Sequence, residues 1–207
     1  MFTRSITFGA LLLLGACSSS EPGAADASEW TLTFDEVNDM SQLAPVMGDW
    51  DIVNAPGAPS AGQALAQTAR NDSAVFNVVL IPGVERQDLD LSVAMQSMAG
   101  EIDEGGGPLW RAQDANNYYV ARFNPLEHNY RVYTVVDGKR TQLASADLPS
   151  APGWHTLRVT MTGDHIRCYY DGELALEVHD STFPAAGLIG LWTKADAQTQ
   201  FDDLRVQ

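Results

Sequence analysis

Apolar and polar residues alternate in short segments along most of the chain, which is the pattern of half-buried β-strands. In residues 30–37, WTLTFDEV, the apolar residues Trp30, Leu32 and Phe34 alternate with polar ones. Similar strand-like segments occupy 75–81, 88–96, 109–113, 117–123, 129–136, 154–161, 165–170, 173–178, 188–192 and 200–206. No long stretch repeats apolar residues every 3.6 positions, and residues 38–47 hold at most a short helical turn. The pattern predicts an all-β domain.

Tight turns separate several of these segments. Asp137-Gly138, Gly163-Asp164 and Asp171-Gly172 each lie between two strand-like runs. Because Gly and Asp tolerate the positive φ of two-residue turns, we expect a β-hairpin at each pair. Many short strands joined in this way are typical of a β-sandwich.

The N-terminus has the features of an export signal rather than of a folded segment. Arg4 supplies positive charge, and the apolar run 6–14 is too short to cross a bilayer. The sequence Leu-Gly-Ala-Cys that ends at Cys17 resembles a bacterial lipobox. The resemblance implies that residues 1–16 are a lipoprotein signal peptide and that acylated Cys17 holds the protein on a lipid bilayer. The alternative is an ordinary secretory signal with a cysteine there by chance.

Residues 17–28 are then the lipidated cysteine and a flexible tether, because Ser, Glu, Pro, Gly and Ala there offer little to bury. Residues 29–207 form the folded domain. Ser18, rather than Asp, follows the cysteine, which by analogy with Gram-negative sorting favours the outer membrane. We therefore predict an outer membrane lipoprotein of a Gram-negative bacterium that faces the periplasm or the cell surface.

Composition limits the partners and the chemistry. The chain has 207 residues, enough for one domain with a sizeable core, and a formal net charge of −15. An acidic surface repels phosphate, so we expect no nucleic-acid binding. Cys168 is the one cysteine outside the lipobox and has no partner for an internal disulfide. No phosphate loop, nucleotide fingerprint or Ser-His-Asp arrangement is present, and the sequence predicts no cofactor.

The C-terminal half resembles a known fold. The segments that carry the resemblance are 109–146, LWRAQDANNYYVARFNPLEHNYRVYTVVDGKRTQLASA, and 152–206, PGWHTLRVTMTGDHIRCYYDGELALEVHDSTFPAAGLIGLWTKADAQTQFDDLRV. They are similar to the concanavalin A-like, LamG-like jelly roll, and in particular to the bacterial 3-keto-disaccharide hydrolase domain family. The resemblance implies a concanavalin A-like jelly-roll β-sandwich of two antiparallel sheets. Such sandwiches host lectins, glucanases and adhesive modules, so the fold alone does not set the activity.

Strand alternation predicts one polar and aromatic face. It turns Trp110, Tyr119 and Phe123 to the core and collects the other set on an outer, concave face. The predicted ligand-binding residues are Arg111, Tyr118, Arg122, Asn124, Arg131, Tyr133, Trp192 and Lys194. Clustered cations repel each other unless an anion lies among them, and arginine offers a planar fork for carboxylate or hydroxyl groups. We interpret this face as a groove for a carbohydrate or another polar or anionic ligand, with Arg111 and Arg122 side by side.

Three alternatives to a groove stay open. Arg and Tyr are ordinary residues on exposed strands, so the face is also explained as sheet surface. Acidic loops that pair with the arginines would leave no site. A single β-bulge would invert the alternation on which the assignment rests.

The acidic segment 101–104, Glu-Ile-Asp-Glu, invites comparison with the carboxylate strand of β-glucanases. Its spacing does not fit, and Gly105, Gly106 and Gly107 follow it, so we expect a loop. The favoured hypothesis is therefore a binding protein without catalysis. The alternative is a glycoside hydrolase acting on 3-keto-disaccharides or related sugars, with loop acids to test at Glu101, Asp103, Asp114 and Glu127.

Two further hypotheses concern a partner protein and a metal. A structural envelope protein that contacts other proteins is the third functional class open to this sequence. Asp35, Asp202 and Asp203 occupy the first and last predicted strands, where a structural Ca²⁺ is conceivable. They supply fewer oxygens than the six to eight that Ca²⁺ takes, and no metal is predicted.

Overall fold

The computed structural model describes Met1 and residues 29–36 and 39–207. The predicted signal peptide, Cys17 and the tether lie outside the described residues. One short 3-10 helix spans Asp39–Gln42. The first strands are β1 (Trp30–Leu32), β2 (Ala44–Met47), β3 (Trp50–Asn54), β4 (Gln63–Gln67), β5 (Phe76–Arg86), β6 (Leu89–Ala99), β7 (Gly107–Asp114) and β8 (Asn117–Asn124). They are followed by β9 (Asn129–Val136), β10 (Lys139–Asp147), β11 (His155–Thr162), β12 (His165–Tyr170), β13 (Glu173–His179), β14 (Gly187–Lys194) and β15 (Gln198–Val206).

These strands form two antiparallel sheets. The eight-stranded sheet has the order β13-β12-β11-β6-β15-β4-β3, and its eighth strand, β1, also pairs with β15. The seven-stranded sheet has the order β10-β9-β8-β7-β14-β5-β2. The predicted all-β jelly-roll sandwich of two antiparallel sheets is confirmed.

The main core lies between the sheets. From the seven-stranded sheet it takes the predicted core residues Trp110, Tyr119 and Phe123, each at most 1% exposed. From the other sheet it takes alternate residues such as Leu91 and Val159. The rings of Trp110 and Tyr119 are stacked, with centroids 5.5 Å apart. Side chains of this size contribute about 1.5–3 kcal/mol each when they are fully buried.

The three predicted hairpins are present. Asp137 and Gly138, with φ of 49° and 73°, join β9 to β10, and Asp171-Gly172 joins β12 to β13 in the same way. Gly163, with φ of 59°, begins the turn between β11 and β12. These turns need the left-handed backbone that Gly and Asp tolerate.

The seven-stranded sheet curls strongly, and its concave face holds a second apolar cluster. Arg140 of β10 lies with its guanidinium carbon 5.6 Å from the ring centroid of Phe76 in β5, although four strands separate β10 from β5 in the sheet order. In a flat sheet five strand spacings would put those strands about 24 Å apart. The cluster inside the curl consists of Val78, Leu80, Leu109, Ala112, Tyr118, Val120, Tyr133, Val135 and Trp192. The concave face is therefore filled by apolar side chains and is not an open, flat surface.

Candidate functional site

The concave face collects seven of the eight side chains that the sequence assigned to it. Tyr118, Tyr133 and Trp192 belong to its apolar cluster. The other four stand at its charged end and are connected through ion pairs and hydrogen bonds: Arg122, Asn124, Arg131 and Lys194. The alternation along β8, β9 and β14 was thus sufficient to predict which residues share this face.

Arg111 is the exception, and its prediction is wrong. A bulge in β7 places Arg111 at a φ of 47° and turns its side chain away from the concave face, so that Leu109 and Ala112 face the concave cluster instead. The side chain is 1% exposed. It donates to the carbonyls of Gln87 at 2.5 Å, Phe183 at 2.9 Å and Gly163 at 2.8 Å. Arg111 therefore links the β5–β6, β11–β12 and β13–β14 connections at one end of the sandwich and does not lie beside Arg122.

The three predicted ligand-stacking aromatics are packing residues. Tyr118 and Trp192 are 0% exposed and Tyr133 is 4% exposed. The indole Nε1 of Trp192 donates to the Tyr118 hydroxyl at 3.2 Å, and burial raises the pKa of Tyr118 above its ordinary value. These rings lie in the interior of the concave face and expose almost no surface to a ligand.

Two carboxylates neutralise most of the cations at the charged end of the concave face. Asp103 Oδ2 lies 3.2 Å from Arg122 Nη1 and 3.3 Å from Lys194 Nζ. Glu127 Oε2 lies 2.7 Å from Arg122 Nη2 and 3.0 Å from Arg131 Nη1. The alternative in which acidic loops pair with the arginines is therefore realised for these three bases.

Hydrogen bonds hold the loop before β7 and fix the position of Asp103. The Asp196 carboxylate accepts hydrogen bonds from the backbone amides of Glu101, Ile102 and Asp103 at 2.8–3.0 Å. Burial alone would raise the pKa of Asp196, but the backbone amides outweigh it and the pKa is lowered. Asn124 Nδ2 then donates to Asp103 Oδ1 at 2.9 Å. The predicted loop over 101–104 is confirmed, and its acids do not form a glucanase strand.

The surroundings of Glu127 stabilise its ionised carboxylate. Burial raises its pKa, but the Asn129 amide and the guanidinium groups of Arg122 and Arg131 outweigh that effect and lower the pKa below the ordinary value of 4.5. A general acid for glycoside cleavage needs the opposite shift, because it must keep its proton near neutral pH. Asp103 and Glu127 share Arg122, but Glu127 lacks the electrostatic environment of a proton donor.

Arg140 is the functional candidate that the sequence analysis missed. Its guanidinium carbon lies 4.3 Å from the ring centroid of Tyr133 and 5.6 Å from those of Phe76 and Trp192. Burial lowers its pKa from 12.5, yet an arginine keeps its charge at neutral pH. Nη1 is buried without a hydrogen-bond partner, and the described residues place no carboxylate within 4 Å of this group. No local signal in the sequence marks Arg140, because its neighbours Phe76 and Trp192 lie on distant strands.

A pocket of about 370 Å³ is lined by Phe76, the ring whose centroid lies 5.6 Å from the Arg140 guanidinium carbon, and we call it the concave pocket. Its walls come from β2, the start of β5 and the turns after β7 and β9. The lining includes Val46, Met47, Phe76, Val78, Asn116 and Gly138. Its volume falls within the range of small-molecule sites, and its walls combine apolar side chains with an amide, as such sites do.

A second pocket of about 310 Å³ lies at one end of the sandwich and contains His155 and Glu104. Its two titratable side chains already have hydrogen-bond partners. His155 contacts Asp171 Oδ2 at 2.8 Å and the Ala151 carbonyl at 3.0 Å, and Glu104 accepts from the Ser97 hydroxyl at 2.7 Å. The concave pocket is the stronger candidate because Arg140, which contacts its Phe76 wall, has no carboxylate partner within 4 Å in the described part of the chain.

The acids considered for a metal have structural roles. Asp202 accepts from the Ser60 amide and hydroxyl at 2.8–2.9 Å, and Asp35 accepts from the Ala61 amide at 3.0 Å. They fasten the loop before β4 to the sheet. Within the described residues, no group of three or more His, Cys, Asp or Glu side chains is placed to hold a metal ion. The same residues contain no helix that is long and apolar enough to cross a membrane.

Solved structures share this architecture. The carbohydrate binding module CBM66 from Bacillus subtilis superposes with a TM-score of 0.68 at 20% identity, covering 80% of this chain and 96% of the module. A Bacillus subtilis protein of unknown function with a galectin-like fold gives 0.64 at 11% identity, over 86% and 94% of the two chains. A putative glycosyl hydrolase from Parabacteroides distasonis gives 0.58 at 12% identity, over 86% and 98%.

These similarities establish the fold. The chain has the galectin-like and carbohydrate-module-like jelly roll. No protein-family model and no curated protein matches the sequence. The fold alone does not determine the function of the site.

Proposed function

We propose that this protein is a membrane-anchored carbohydrate-binding lipoprotein whose ligand occupies the concave pocket. The observation that carries the proposal is the pocket itself, with the apolar side chain of Phe76 in its wall and Arg140, to which the described residues offer no carboxylate within 4 Å, 5.6 Å from the centroid of that ring. Similarity to a carbohydrate binding module supports sugar as the ligand class, although similar sandwiches serve other functions.

The chemistry of the pocket fits a sugar ring. One face of a pyranose or furanose presents C–H groups, which pack on Phe76 and on the exposed side chains of Val46 and Met47. The ring edge presents hydroxyls, which the Asn116 amide and the Arg140 guanidinium can bind through hydrogen bonds. A site with apolar walls and a few polar groups orients a ligand in this way.

Calorimetry against a panel of oligosaccharides tests the proposal. The full chain is purified in a polyoxyethylene detergent, because alkyl glycoside detergents are themselves sugars. We expect at least one oligosaccharide to bind, and Phe76→Ala to weaken its affinity tenfold or more. Tyr169→Ala is the matched control, since Tyr169 is a half-buried aromatic on the eight-stranded sheet. Equal loss in both variants, or binding by neither the wild type nor the variants, would contradict the proposal.

Hydrolysis of 3-keto-disaccharides or related glycosides is the second candidate. The observation in its favour is that Asp103 and Glu127, two of the loop acids considered for it, meet on one guanidinium. The lowered pKa of Glu127 argues against it as the proton donor. We expect no release of product from 3-keto-glycosides at high protein concentration. Turnover that disappears in Glu127→Gln would replace the binding proposal with this one.

Membrane anchoring rests on the lipobox. We propose acylation of Cys17 and an outer membrane location, on the periplasmic side or at the cell surface. Expression in a Gram-negative host with an alkyne-tagged fatty acid should label the wild type and leave Cys17→Ser unlabelled. Sucrose-gradient separation should place the labelled protein with the outer membrane. Equal labelling of both proteins, or none in the wild type, would contradict the assignment.

A further inference from the structure

The concave face carries more positive charge than its own acids neutralise. Four bases converge there, Arg122, Arg131, Arg140 and Lys194, against the two carboxylates of Asp103 and Glu127. This local surplus lies on a chain whose formal net charge is −15. Like charges held together without counterions destabilise the free protein, so the surplus calls for an anion.

Arg140 is the base that both carboxylates leave unpaired. Arg122 contacts both acids, Arg131 contacts Glu127, and Lys194 contacts Asp103, whereas the described residues place no carboxylate within 4 Å of Arg140. Asp103 and Glu127 stabilise its charge, and Arg122 opposes it, only over longer distances. A guanidinium that is largely removed from water and not paired is unfavourable until an anion reaches it.

The position of Arg140 is fixed before any ligand arrives. Its guanidinium is held over the Tyr133 ring and lies within 5.6 Å of the centroids of both Phe76 and Trp192. Phe76 also lines the concave pocket, so one aromatic ring joins the cation to the pocket. An arginine held in this way loses less side-chain entropy when it binds a ligand.

We infer that the ligand of the concave pocket is an acidic sugar, a uronic acid residue whose carboxylate pairs with Arg140. The inference rests on the proposed function and adds the chemical class of the ligand. The planar fork of arginine matches the two oxygens of a carboxylate, and a sulfate group, which the same fork can bind, is the competing anion in the test below. The sugar ring packs on Phe76 while its carboxylate reaches the Arg140 guanidinium, whose carbon lies 5.6 Å from the centroid of the Phe76 ring.

The test compares each uronate oligomer with its own methyl ester, which keeps the sugar and removes the charge. Oligomers of galacturonate, glucuronate and mannuronate, their esters and a sulfated dextran fragment are titrated by calorimetry into the full chain in polyoxyethylene detergent. Arg140→Gln removes the charge, and Lys139→Gln is its matched control, since Lys139 is the adjacent, exposed base on β10. Arg140→Lys keeps the charge and removes the fork.

We expect one uronate oligomer to bind at least tenfold more tightly than its ester. Arg140→Gln should lose that tenfold preference, Arg140→Lys should lose part of it, and Lys139→Gln should stay within twofold of the wild type. The wild-type affinity should also fall between 50 and 500 mM NaCl, a measurement that does not depend on any variant folding.

Other results would overturn the inference. Equal binding of acid and ester, or a preference for the sulfated fragment, would contradict a uronate ligand while the proposed sugar binding stands. Equal effects of Arg140→Gln and Lys139→Gln would contradict the role of Arg140. Absence of binding to every sugar in the panel would overturn the proposed function together with this inference.

Discussion

Replacing Arg111 with methionine separates a structural arginine from a ligand-binding one. In the structure its guanidinium donates to three backbone carbonyls at 2.5–2.9 Å, and Asp88 lies 3.4 Å away. Hydrogen bonds from a charged group contribute about 1.5–3 kcal/mol each, and methionine avoids the cost of burying a charge. The free energy of unfolding of Arg111→Met should therefore be about 3–5 kcal/mol lower than that of the wild type. For a domain of this size that corresponds to a fall in Tm of roughly 10 °C.

Urea unfolding followed by tryptophan fluorescence measures this loss. Arg131→Met is the matched control, because the Arg131 side chain is 30% exposed and its ion pair with Glu127 is worth no more than about 1 kcal/mol. Sugar binding by the folded Arg111→Met protein should equal that of the wild type. If Arg111→Met and Arg131→Met lost the same stability, or if Arg111→Met folded normally and lost sugar binding, the assignment of Arg111 to the sandwich end would be refuted.

Two further predictions concern pH. Burial, with the Asp180 carboxylate, raises the pKa of Tyr119 to about 12 from 10.0. Its contribution to stability should therefore be full below pH 10 and lost as the pH rises towards 12. The difference between the absorbance titrations of the wild type and Tyr119→Phe, together with their alkaline unfolding, measures this. A difference that titrates near pH 10 in the folded protein would contradict it. Glu127 has a lowered pKa, so its contribution is full above 4.5 and lost as the pH falls further. Glu127→Gln should accordingly be less stable than the wild type at pH 7, with the gap closing in acid, and a gap that does not change with pH would contradict the ion-pair role.

The sequence predicted the fold because its turn chemistry and strand periodicity agree. Asp137-Gly138 marks a hairpin that the backbone needs, and the period of two along β8 and β9 placed Tyr119 in the core and Arg122 on the concave face. Where both signals are weak the prediction failed. β4, QALAQ, is rich in alanine and was not predicted, and β10, KRTQLASAD, has mostly exposed residues and was indicated only by the Asp137-Gly138 turn before it.

The site was predicted less completely than the fold, for two physical reasons. The bulge at Arg111 contains no Gly or Asn to announce a positive φ, so regular alternation assigned that side chain to the wrong face. The curl of the seven-stranded sheet is a property of the whole sheet, and no local pattern shows that β10 approaches β5. Arg140 therefore went unnoticed although it stacks on Tyr133, and the rings of Tyr118 and Trp192 were expected to meet a ligand although the curl buries them.

A crystal structure of the full chain with the tightest-binding oligosaccharide tests the central claim most directly. The account predicts a sugar ring packed on Phe76 in the concave pocket, with a polar contact to Arg140. A sugar bound in the pocket of His155 and Glu104, or on the outer surface of the eight-stranded sheet, would contradict it.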